Sequence, residues 1–106
     1  LNELVLNDLK TSGHYLTKFH ESFDKYHYAR QMAMYMWMLK LYIENEYKAK
    51  PTLKANMLVV STVPDFRSGV FPVNNGHMLS GFTEFTTLLR RIAYYELYGY
   101  DADGIL

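Results

Sequence analysis

Asp8 and Lys10 stand two residues apart in Leu6-Asn7-Asp8-Leu9-Lys10-Thr11-Ser12, at the end of the apolar run Leu4-Val5-Leu6. In an extended strand, residues two apart point to the same face, so this carboxylate and this amine meet on one side. Such a carboxylate could hold a divalent cation through oxygen. The amine could orient a water, or stabilise a phosphate as charge builds up during its hydrolysis. The same triplet is also what an exposed ion pair of small energetic consequence looks like. Glu3 lies at an odd offset from Asp8 and falls on the other face of a regular strand.

A second pair follows in Tyr28-Ala29-Arg30-Gln31-Met32-Ala33-Met34-Tyr35. Gln31 and Tyr35 are four apart and share a helix face. A Gln at the start of an otherwise apolar helix wants a polar partner, and a site at Asp8 and Lys10 would supply one. The alternative is a Gln on a solvated first turn and a Tyr in the core. Lys18, Lys25 and Arg30 could touch nucleic-acid phosphates or form a solvated face. His14, His20, His27 and His77 match no compact metal-ligand spacing. Arg90 and Arg91 suit the C-terminal dipole of a late helix. Tyr94, Tyr95, Tyr98 and Tyr100 could stack on bases, meet another subunit or cover a sheet.

The elements that must position these residues follow from pattern. Leu4 to Lys10 reads as a short strand. Residues 11 to 27 are mixed, with Tyr15, Phe19 and Phe23 spaced by four, and a stretch of that length is expected to carry local order. Tyr28 to Tyr47 holds no Gly or Pro and is rich in helix-favouring Met, Ala, Leu and Lys. Met32, Tyr35, Met36, Leu39, Tyr42 and Ile43 form a stripe at helical spacing. Met34, Trp37, Met38 and Leu41 widen it, so this helix is expected to be buried on most sides or to meet a partner. Met57-Leu58-Val59-Val60 predicts a central strand within Leu53 to Val63. Pro64 to Gly69 is turn chemistry. Val70 to Val73 predicts an edge strand, because Pro72 cannot donate to a ladder. Asn74-Asn75-Gly76 reads as a second turn. Met78 to Tyr98 predicts another long helix with Phe82, Phe85, Leu89, Ile92 and Leu97 as core contacts, stopped at Gly99. The tail beyond is short and acidic.

The chain has 106 residues, about half of them apolar, which is enough for one small domain with one core. Its formal net charge is +0, so no bulk field selects nucleic acid or basic partners, although a local basic groove is compatible with that total. It holds no cysteine, which excludes disulfide frameworks, thiolate zinc sites and cysteine nucleophiles, and fits a reducing compartment. No apolar run approaches the roughly 18 residues of a membrane span. The first residue is Leu rather than Met, which reads as a piece of a longer protein or a trimmed one.

Asp8-Leu9-Lys10-Thr11-Ser12, then a loop ending in Lys25-Tyr26-His27-Tyr28-Ala29-Arg30-Gln31-Met32-Ala33-Met34-Tyr35, resembles the PD-(D/E)XK nuclease superfamily. Within it the chain is most similar to phage-type recombination exonucleases of the exonuclease VIII kind, with a strand ending D-L-K-T and Y-x-x-Q-x-x-x-Y on the next helix. The later strand, the hairpin into Gly69-Val70-Phe71-Pro72-Val73 and a last helix reading LLRRIAYYELYG keep the family's order. The resemblance implies an α/β (α+β) fold with a restriction-endonuclease-like core, a mixed sheet flanked by two long helices. It implies that residues 1–106 are one domain, the C-terminal part of a nuclease domain truncated at its N-terminus, because the family's further acidic ligands have no counterpart after Leu1. Asp8 would be a metal-binding carboxylate, and the Leu9 carbonyl a further ligand of Mg²⁺ or Mn²⁺. Lys10 would be the catalytic lysine, with Gln31 and Tyr35 lining the site. Thr11 would sit at its mouth and Tyr28 at the helix start; Lys18 and Arg30 would join them in binding substrate. The implied activity of the full-length protein is exonucleolytic hydrolysis of double-stranded DNA ends, 5′ to 3′, by a ring-shaped homo-oligomer. A single-strand annealing protein would be its partner, in the cytoplasm of a bacterial host. The alternative is a catalytically inactive nuclease-fold domain that binds DNA or a protein. A third reading, a helical interaction module, would let Asp8 and Lys10 diverge in space.

Overall fold

The computed structural model describes residues 2–64 and 66–100; Asp65 of the expected turn and the acidic tail after Tyr100 lie outside them. Three strands form one mixed sheet in the order β1-β2-β3. β1, Glu3–Ser12, runs parallel to β2, Thr52–Ser61, with Asp8 opposite Met57 and Lys10 opposite Val59. β3, Ser68–Val73, runs antiparallel along the other side of β2, with Leu58 opposite Val70 and Met57 opposite Phe71. The β-branched run of β2 therefore lies in the middle. Pro72 lies on an edge strand, where its missing N–H costs least.

Burial alternates along β1, with Leu4, Leu6, Asp8, Lys10 and Ser12 the less exposed set. They share a face with Ala55, Met57, Val59, Phe71 and Val73, which the register places beside them. All helices pack on that face. A single 3-10 turn at Leu16–Lys18 leads into α1, Phe19–Lys25, which buries Phe19 and Phe23. The aromatic spacing of the mixed segment thus marks a real helix, although Tyr15 itself stays exposed. His27 breaks the helix with φ 55, and α2, Tyr28–Tyr47, carries the chain back so that β2 can enter parallel to β1. Met32 and Met57 are fully buried where α2 meets the sheet, with Phe19, Phe23, Met36, Ala55, Val59 and Val73 around them. Flexible thioethers suit this junction of helix and pleat.

α3, Asn75–Tyr98, begins earlier than the sequence predicts. Asn74 is its N-cap: the Asn74 side chain accepts from His77 N–H at 2.8 Å, and His77 Nδ1 accepts from Asn74 N–H at 3.3 Å. This reciprocal cap turns the expected Asn74-Asn75-Gly76 turn into a helix start. The start of α3 meets the covered face of the sheet through Met78 and through the His77 ring against Phe71. It packs on α2, on the same side of the sheet, and Gly81 lies against the Ala29 backbone, where a Cβ would fall 2.1 Å from the Ala29 oxygen. Of its expected core residues only Phe85 is buried, beside Trp37. Leu89, Ile92 and Leu97 are exposed, because the helix spans about 36 Å and crosses α2 only in its first half, and Phe82, within that half, is exposed as well. The outward residues of α2, Trp37, Met38, Leu41 and Tyr42, are likewise exposed. Among the described residues no helix is long and apolar enough to cross a membrane.

Candidate active site

The end of β1 brings Asp8 and Lys10 together: Lys10 Nζ lies 3.1 Å from Asp8 Oδ2, with both side chains about four-fifths buried. They do not diverge, as a bare helical interaction module would allow. Lys10 Nζ also stands 4.6 Å above the centre of the Tyr28 ring, at the first residue of α2. A cation over an aromatic face in a partly desolvated place is attracted by the ring quadrupole. Tyr28 is itself held by neighbours. Its ring stacks on Phe19 at 6.1 Å and meets Phe23 edge-on at 6.5 Å. The aromatics of α1 thus fix the ring that fixes the lysine.

The opposed directions of β1 and α2 set the rest. One turn along α2 from Tyr28 is Gln31, about 4.5 Å further on, while two residues back along β1 from Lys10 is Asp8, about 6.7 Å away. Gln31 thus lies on the Tyr28 side of α2, one turn further along the helix. Tyr35, another turn on, packs against the apolar core with Leu6. Gln31 Oε1 is closed off from solvent with no hydrogen-bond donor among the described residues, whereas Asp8 Oδ2, equally closed off, faces the Lys10 ammonium. A buried acceptor without a donor costs about 1–3 kcal/mol, so Gln31 Oε1 leaves a place for a donor.

The backbone adds a third oxygen. Thr52 N–H donates to Asn2 O and Thr62 N–H to Ser12 O at the two ends of the parallel ladder. Even-numbered residues of β1 therefore turn their backbone groups toward β2, and odd-numbered ones turn theirs to the outer edge. Leu9 is odd, and β1 is an edge strand. Its carbonyl points off the sheet beside Asp8, where it is available to a ligand.

Other expected residues sit elsewhere. Thr11 alternates with Lys10 and lies on the open face of the sheet, exposed. Lys18 is exposed on the 3-10 turn. Arg30 lies across α2 from Tyr28, with Nη1 4.0 Å from Glu84 Oε2 on α3. His27 Nδ1 approaches the same oxygen at 3.4 Å. This Glu84 cluster anchors α3 to the start of α2, next to the Tyr28 that holds Lys10. The sequence signal for it is slight: Glu84 is the one carboxylate in the first five turns of α3.

Among the described residues no three His, Asp or Glu side chains converge as a metal group. The fit to a divalent cation rests on one carboxylate and one carbonyl. Mg²⁺ is commonly held by one or two carboxylates with water and substrate phosphate oxygens completing six positions, so this donor set fits as part of such a site. No family model, curated protein or solved structure matches the chain.

Proposed function

We propose that this chain is part of a metal-dependent deoxyribonuclease of the PD-(D/E)XK type with a restriction-endonuclease-like core, an exonuclease on double-stranded DNA ends in phage-type recombination. The observation that carries the reading is the convergence of Asp8, Lys10 and Tyr28 at the end of a parallel strand, with the buried Gln31 oxygen one turn along α2 from Tyr28. Asp8 and the Leu9 carbonyl would hold Mg²⁺ or Mn²⁺. When bound, the cation would lower the pKa of water and neutralise phosphate charge. Lys10 has the charge and the pinned position to bind a phosphate oxygen and to stabilise the negative charge that grows there as water attacks. Tyr28 holds the amine in place, and Gln31 offers an amide to an incoming water or phosphate. A homo-oligomer acting with a single-strand annealing partner belongs to the same proposal.

A second reading is a nuclease-fold domain that binds DNA without cutting it, in keeping with Asp8 being the carboxylate paired with Lys10 among the described residues. Degradation of a linear duplex by the full-length protein in Mg²⁺ tests both. Activity in the wild type, abolished in Asp8→Asn and Lys10→Ala with unchanged circular dichroism, supports the nuclease. Equal activity in all three removes the chemistry from Asp8 and Lys10. Duplex binding without cleavage in Mg²⁺ or Mn²⁺ selects the second reading.

A further inference from the structure

We infer that the cavity between the segment joining β1 to α1 and the turn joining β2 to β3 is a second binding site, one that takes a nucleotide, with its phosphate on Arg67 and its base on the Tyr15 ring. The inference is independent of the chemistry at Asp8 and Lys10. The cavity measures about 510 Å³ and lies past the C-terminal ends of β1 and β2, with Tyr15, Thr17 and Arg67 in its lining. That volume is in the range of small-molecule sites. The carboxyl ends of parallel strands are also where open α/β sheets hold their ligands.

The walls of this cavity are tied together. Thr62 donates to Ser12 O from its N–H at 2.8 Å and from its hydroxyl at 3.1 Å. The Ser61 hydroxyl donates to His14 O at 2.7 Å, and its oxygen accepts from Val63 N–H at 3.2 Å. Ser61 is buried, so one core side chain holds both loops. Leu16 closes over Gly69, where a Cβ would fall 3.3 Å from Leu16 Cδ1. Arg67 O accepts from Ser61 N–H at 2.8 Å, directly after Phe66 has taken φ 46. A side chain in that left-handed region is unfavourable, and such strain persists where the surrounding structure over-determines it.

The groups at the mouth of this frame are unused. The side chains of Tyr15, Thr17 and Arg67 are exposed and make no hydrogen bond, ion pair or ring contact among the described residues. The Arg67 guanidinium is a planar fork that matches two phosphate oxygens. The Thr17 hydroxyl is a third donor on the same cavity, and a terminal phosphate has three oxygens to receive them. The Tyr15 ring, 63% exposed, offers a face on which a base stacks. No carboxylate among the described residues lines the cavity to repel an anion. Fork, hydroxyl and ring together fit a phosphate joined to a planar base better than either part alone.

Equilibrium binding of dAMP to the full-length protein in EDTA tests this with no cleavage in the way. dAMP is expected to bind, with deoxyadenosine and inorganic phosphate each about ten-fold weaker or more. Arg67→Ala and Tyr15→Ala should each weaken dAMP by about ten-fold with circular dichroism unchanged, and Tyr15→Phe, which keeps the ring, should not. A short oligonucleotide with a terminal phosphate separates two sources of the same chemistry. Tighter binding than dAMP, with the same dependence on Arg67, marks the end of a strand; weaker binding marks a free mononucleotide. No binding of dAMP overturns the proposal. So does binding that survives Arg67→Ala or Tyr15→Ala, or a site that takes inorganic phosphate as tightly as dAMP.

Discussion

Lys10 Nζ stands 4.6 Å over the Tyr28 ring, so the end of β1 and the start of α2 meet at a cation and an aromatic face. That contact joins the strand carrying the charged pair to the helix carrying Gln31. It also makes the lysine's position depend on Phe19 and Phe23, which hold the ring from α1.

Under the proposed nuclease function, Tyr28→Leu is expected to lower the turnover of DNA by the full-length protein by about 10–100-fold. Its affinity for the duplex should change little, since the amine remains but is no longer held. Tyr28→Phe keeps the ring and should retain most of the rate. A Tyr28→Phe variant as slow as Tyr28→Leu would show that the hydroxyl, rather than the ring, matters.

Gln31 carries an acceptor oxygen closed off from solvent without a donor. Replacing it by the similarly sized Leu removes that cost, so Gln31→Leu is expected to stabilise the fold by about 1 kcal/mol in urea denaturation while activity falls. A loss of stability would mean that the amide is satisfied in the folded protein.

Lys48 ends α2 in the left-handed region, at φ 50. A side chain there costs about 1–2 kcal/mol, and Gly avoids that cost while losing more entropy on folding. Lys48→Gly should therefore raise stability by about 0.5–1 kcal/mol, a few degrees in Tm. An unchanged or lower melting temperature would contradict the left-handed end of the helix.

Gly81 sits where a Cβ would fall 2.1 Å from Ala29 O and 2.4 Å from Ala29 C. Backbone cannot move aside as a flexible side chain can. Gly81→Ala should force α3 away from α2 and destabilise the fold by about 1–3 kcal/mol or more, despite the better helix propensity of Ala. Thermal stability equal to wild type would rule out this close crossing.

Tyr100 donates its hydroxyl to Glu96, and this hydrogen bond, with slight desolvation and the carboxylate charge, raises the phenol above the ordinary tyrosine value. The neutral phenol is the form favoured by folding. Its contribution is fully present below the unfolded pKa and is lost as pH rises through the raised folded value. An NMR titration should place Tyr100 above a free tyrosine, and Glu96→Ala should bring it down. No difference between the two would mean that the hydrogen bond does not persist in solution.

Local order determined much of this fold. Uninterrupted helix formers marked Tyr28–Tyr47 over the range it occupies, and the β-branched run marked β2 as the central strand. Pro72 marked β3 as an edge, and period-two alternation placed Asp8 and Lys10 on one face. These are nearest-neighbour properties, set by backbone sterics and by the pleat. The start of α3 is hidden in the sequence because Asn74-Asn75-Gly76 has turn composition, and the cap that makes it helical is completed by His77. Tertiary structure alone decided which apolar residues are covered. Leu89 and Ile92 carry the same helical signal as Phe85, but α2 crosses α3 at Gly81 and reaches only the first half. It alone turned Arg30 toward Glu84, Thr11 onto the open face and the Lys10 amine onto Tyr28. Periodicity says which side chains share a face; what stands opposite that face depends on the path of a distant segment.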